Sequence, residues 1–426
     1  MAKYVAENST YPTIGAVLAF IAVRSGLVSA TDDDPLYERL KPFVREQKGK
    51  DFAELEFVLD VLQRRLEGRL APPEVGNLTF VFFRRFLERY KSLIQAGRAS
   101  VFGRDHFMNE ILIPKFFVPY AAFILRELSR VPFDFFDLDQ LLRSDAPLRV
   151  MLEIPLKAKS KDWNHLAELY EGKHLVRGEG EPEHDIDDKR KLIRRWGSGD
   201  ATPDLTICLA LLDGLDWAKY SGFVFWVWIA RFLQKIDKSH RVLVADAVRL
   251  NEPLPDVHQF SKEITNENDA IGRMSIRQDA VVVLRNLSAL LFYDTYRNFG
   301  DKARVEGLLA DVRLLVEGKD HIKYYVTWLE AKYWLYCRDY NRALEKYEQA
   351  FYEGMYGDSQ AEKMILPQWA AVAQKQNAKS ALKRIDSRMK FLRIYPNGLG
   401  ADGVAAMRLE AFRTNFGAGR HFIECF

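Results

Sequence analysis

Apolar residues recur at intervals of three and four along most of this chain, the spacing that lines one face of an α-helix. In residues 51–67, Phe52, Leu55, Val58, Leu59, Leu62 and Leu66 keep that interval, and Gly68 with Pro72 and Pro73 supplies a stop. Residues 77–97 repeat the design, with Asn77 as an N-cap residue type, a stripe of Leu78, Val81, Phe82, Phe86, Tyr90 and Leu93, and Gly97 at the end. Two such helices joined by so short a connection are expected to pack as a hairpin. Residues 105–130 continue in the same style, and Pro114 and Pro119 are expected to break the run, because proline lacks the N–H and clashes with the preceding turn. These patterns predict a helical N-terminal domain over residues 1–145.

The pattern then changes. Residues 150–156 read without a helical period, and residues 172–188 are rich in Gly, Glu, His and Asp, so 146–188 is expected to be a linker or irregular segment. Helical spacing returns at Asp188 and continues through 205–215, 217–236 and 278–296. This gives a helical middle region over 189–275 and a helical C-terminal region over 276–426. Strand signals are few and short, so the expected fold class is all-α or nearly so.

A length of 426 residues allows two or three domains. The 48% hydrophobic content and the 28 Phe, 18 Tyr and 8 Trp exclude extended disorder. Because 62 basic residues nearly cancel 59 acidic ones, the net charge of +3 provides no global attraction to nucleic acid or anionic lipid. Such binding would need a local patch. Cys208, Cys337 and Cys425 are far apart and odd in number, which speaks against a disulfide framework or a paired-cysteine zinc site and fits a reducing, cytoplasmic setting. The apolar run 15–23, followed by Ser29 and Ala30, has the outline of a signal peptide, but Lys3 is the only basic residue before it and Glu7 also lies there. A second apolar run, 223–233, is shorter than the about 20 residues of a membrane span and contains Arg231, so a buried helix is expected.

Residues 325–354 carry the most informative pattern: two helices of about a dozen residues with a turn at Arg338 and Asp339. Ala331 occupies a small position, Trp334 follows three residues later, and Tyr340 lies at the turn. On the second helix Ala343, Tyr347 and Ala350 alternate small, aromatic and small. This unit resembles a tetratricopeptide repeat, departing from the family in having Glu330 where a leucine is usual and in lacking the terminal proline. Weaker outlines extend the resemblance over about residues 285–395. It implies a helical stack whose surface grips a protein partner and whose repeats carry no chemistry of their own. The aromatic stripe of Trp328, Trp334, Tyr340 and Tyr347 is read as packing rather than as a ligand platform.

The run 188–215 contains Ile193, Trp196, Gly199 and Pro203 at a spacing that resembles the back half of a lambda-repressor-type helix-turn-helix. The resemblance implies that Lys189, Arg190, Lys191, Arg194 and Arg195 contact phosphates. The preceding residues, with Gly178, Gly180 and Pro182, do not supply the earlier helices of that motif. His165, His174, His184 and Asp185 fall near Asp187 and Asp188 and offer imidazole and carboxylate donors, but without the spacing of a helical metal site, so no metal and no cofactor is expected. Gly398, Gly400 and Gly403 form a GxGxxG too close to the last residue to open a dinucleotide-binding unit, and are read as a turn before a helix over 404–412. Arg413 and His421 do not keep the spacing of a helical ribonuclease pair. No P-loop, HExxH or GxSxG is present.

The expectation is therefore a noncatalytic protein–protein interaction or scaffold protein. A DNA-binding regulator using residues 189–215 is the alternative, and a hydrolase or nuclease with a site assembled from dispersed residues is a third reading.

Overall fold

The spacing of three and four is realised as helix after helix. The computed structural model describes residues 9–29, 34–44, 52–130, 136–172, 186–275, 278–293, 302–392 and 394. Among these the regular structure is helical, and an isolated bridge pairs Arg98 with Asp358. The fold class is all-α. The order is α1 (Ile14–Ser25), α2 (Pro35–Val44), α3 (Phe52–Arg69), α4 (Pro73–Ala96), α5 (Arg104–His106), a π-helix (Phe107–Phe117), α6 (Val118–Ser129), α7 (Leu138–Arg143), α8 (Pro147–Ala158), α9 (His165–Gly172) and α10 (Ile186–Ser198). There follow α11 (Leu205–Gly214), α12 (Ser221–Gln234), α13 (Lys238–Arg249), α14 (Val257–Ser275), α15 (Gln278–Tyr293), α16 (Lys302–Leu315), α17 (Asp320–Tyr336), α18 (Tyr340–Gly354), α19 (Ser359–Lys375) and α20 (Lys379–Phe391).

Helices α3 and α4 pair as expected. The run beyond them is not broken by its prolines. It passes from α5 through the π-helix, which contains Pro114, into α6, where Pro119 sits in the first turn. The wider π turn accommodates a residue that an α turn would exclude. Burial holds this path in place. Phe107, Ile111, Leu112 and Phe116 are buried, and the Phe116 and Phe86 rings lie 4.9 Å and 5.5 Å from that of Tyr120.

Residues 147–158, expected to be irregular, form α8. Pro147 opens the helix, and Leu148, Met151, Leu152, Pro155 and Leu156 are its buried face. That set does keep the three-and-four interval; the period is lost only when Pro155 is read as a breaker instead of an apolar core residue.

Helix α12 is the buried helix expected around residues 223–233, with Phe223 through Arg231 all buried. Arg231 lies among apolar neighbours because backbone carbonyls receive its guanidinium: Nε donates to Pro203 O at 2.7 Å and Nη1 to Ser25 O at 3.0 Å. Trp228 Nε1 donates to the same Ser25 oxygen at 2.9 Å, so the two side chains satisfy a carbonyl at the end of α1. Gly26, at φ +79°, makes room, since a Cβ there would lie 2.7 Å from Arg231 Nη1.

Helix α12 packs on α1 and α8, α13 on α6 and α7, and α14 on α4, so helices before residue 145 share their core with helices after 189. Most buried apolar side chains from Tyr11 to Leu392 belong to one cluster. Among the described residues no helix is long and apolar enough to cross a membrane.

Candidate interaction surfaces

From α16 to α20 the chain becomes regular. The connections have four, three, four and three residues in turn, and each contains a residue with positive φ: Gly318 at 73°, Arg338 at 58°, Tyr356 at 59° and Asn377 at 52°. Helices two apart begin 38 or 39 residues from one another, a longer unit than the 34 residues of a tetratricopeptide repeat. Each helix packs on the next, and α15 also packs on α17. Polar contacts tie helices two apart. Trp328 Nε1 of α17 donates to Gln368 Oε1 of α19 at 3.0 Å, and Arg384 of α20 lies 2.8 Å from Glu348 of α18.

Within the α17–α18 hairpin, Ala331, Ala343 and Ala350 are fully buried, so no side-chain bulk separates the helices where they approach. Tyr347 is buried too, and its hydroxyl donates to Gln368 Oε1 at 3.1 Å. Trp334 and Tyr340 are half-buried at the turn end, where the Arg342 guanidinium sits 4.4 Å from the Trp334 ring centre. Asp339 Oδ1 caps α18 by accepting from the Arg342 amide at 3.1 Å. Glu330, where the repeat family has leucine, is buried as an ion cluster: Arg313 of α16 lies 2.6 Å away and Lys346 of α18 2.8 Å.

The stack is held to the α4 end by its own α18–α19 turn. The amides of Tyr11 and Ala99 donate to the carbonyls of Tyr356 and Gly357 at 3.0 Å and 2.7 Å, and Ser359 Oγ donates to Gly97 O at 3.1 Å. Asp358 is the hub of this joint. Its Oδ1 accepts from the Gln360 and Ala361 amides at 3.0 Å each, and its Oδ2 from Arg98 Nε at 3.1 Å and Tyr324 OH at 2.9 Å. Burial opposes the Arg98 charge, but Asp358, Tyr324 and Asp269 around it outweigh that effect and raise its pKa. Behind the hub, buried Glu362 takes Arg388 in a bidentate pair at 2.7 Å and 3.0 Å, and the Arg388 guanidinium lies 4.4 Å from the rings of both Tyr356 and Phe391. Sequence reasoning missed this group. Only the N-cap residue type of Asp358 was legible, since Arg98 lies 260 positions away.

The basic run falls on α10. Arg190, Lys191, Arg194 and Arg195 are exposed and Lys189 is half-buried. The four positions carrying the helix-turn-helix resemblance are occupied by packing. Ile193 and Trp196 are buried, Ile193 O accepts from Trp163 Nε1 at 3.0 Å, Pro203 O receives Arg231, and Gly199 ends the helix at φ +87°. Helix α10 packs on α8 and α9, and thirteen residues, 173–185, separate it from α9, whereas the turn of that motif has about three or four.

His165 Nδ1 lies 2.7 Å from Glu168 on its own helix, and no group of three or more His, Cys, Asp or Glu side chains among the described residues could hold a metal. His174, His184, Asp185, the glycines at 398–403, Arg413, His421 and Cys425 lie outside the described residues. The Cys208 thiol is buried in α11 and its pKa is pushed up to about 12 by that burial, which disfavours the nucleophilic thiolate.

No family model matches this chain, and no curated protein and no solved structure matches it either.

Proposed function

We propose that this is a noncatalytic interaction protein that grips a partner polypeptide on the outer surface of the α16–α20 stack. The observation that supports the reading is the regularity of those five helices: alternating connections, a repeated positive-φ residue, and contacts between helices two apart. Repeating helix pairs build extended surfaces and need no reactive group. Cys208 and Cys337 are free thiols, which fits a reducing, cytoplasmic setting. The test is site-specific photo-crosslinking of the full chain in its native extract. A crosslinker at Asp311, Glu345 or Lys383, exposed on α16, α18 and α20, is expected to capture one common protein, and a crosslinker at Asp60 on α3 is not. Equal capture at all four positions, or at Asp60 alone, sinks the reading.

A second reading rests on the exposed cations of α10, which could meet a phosphate backbone without base contacts. Arg194→Glu with Arg195→Glu should then abolish salt-dependent binding to duplex DNA. Binding that survives the double charge reversal discards it.

A further inference from the structure

We draw no further inference here: the strongest candidate, the hydroxyl–imidazole contact of 3.0 Å between Ser275 at the end of α14 and His321 in the first turn of α17, carries none, because the Ser275 hydroxyl already donates to Gly272 O at 2.9 Å and no carboxylate among the described residues bonds the imidazole to orient it as a base, which leaves a tie between two helices.

Discussion

Asp358 offers the sharpest perturbation, because four hydrogen bonds converge on a carboxylate only 1% exposed. In Asp358→Asn the Oδ1 acceptor is kept, so the α19 cap, about 1 kcal/mol, survives. The charge is lost, and the new amide faces Arg98 Nε and Tyr324 OH. Tyr324 can turn its hydroxyl to accept, but Arg98 can only donate. A hydrogen bond to a charged group contributes about 1.5–3 kcal/mol. Arg98 is 29% exposed and has Asp269 at 3.1 Å, so solvent and that second partner return part of the loss. We expect about 2 kcal/mol for Asp358→Asn. Asp358→Ala also removes the cap and leaves the guanidinium to Asp269 and solvent, and should cost about 3 kcal/mol. The assay is urea unfolding followed in parallel by far-UV circular dichroism and tryptophan fluorescence, because a chain of this length can unfold in steps. Crossing Asp358→Asn with Arg98→Met should give a coupling of about 1–2 kcal/mol. An asparagine variant within about 0.5 kcal/mol of wild type, or an alanine variant no worse than it, would refute the assignment of Asp358 as the hub of the joint.

Three further substitutions test other parts of the account. Burial pushes the Lys332 amine down to about 7; between there and its ordinary value near 10.5 the folded chain binds fewer protons than the unfolded one, so stability should rise with pH by up to about 1.4 kcal/mol per unit, and Lys332→Met should flatten that slope and raise the melting temperature at neutral pH. A slope unchanged in the variant would exclude Lys332 as its source. Gly199→Ala forces a side chain to φ +87° and places Cβ 2.4 Å from Asp145 O, so calorimetry should show a loss of about 2 kcal/mol or more, and a neutral outcome would contradict the α10 end geometry. Glu330→Leu removes a buried carboxylate whose partner Arg313 is 57% exposed and can return to water; it should stay within about 1 kcal/mol of wild type in urea melts, and a loss beyond about 3 kcal/mol would mean that the ion cluster, and not the space it fills, secures the stack.

Local pattern made much of the fold legible. The α3–α4 hairpin, buried α12 and the α17–α18 turn all follow from spacing and stop signals that act within a few residues. Where reading failed, tertiary packing had overridden a local rule. Pro155 is a core residue of α8, not a breaker, and Pro114 is carried by a π-helix whose Phe116 is buried against Phe86 of α4. Buried polar groups were the least legible. Nothing near Arg98 in sequence announces Asp358, and nothing near Arg231 announces the carbonyls of Ser25 and Pro203.

The most direct test of the central claim is hydrogen–deuterium exchange on the full chain with and without the partner captured by photo-crosslinking. The account predicts slowed exchange in α16–α20, concentrated on α18 and α20, with α1–α14 unchanged. Protection confined to α1–α14, with the stack exchanging as in the free protein, would contradict it.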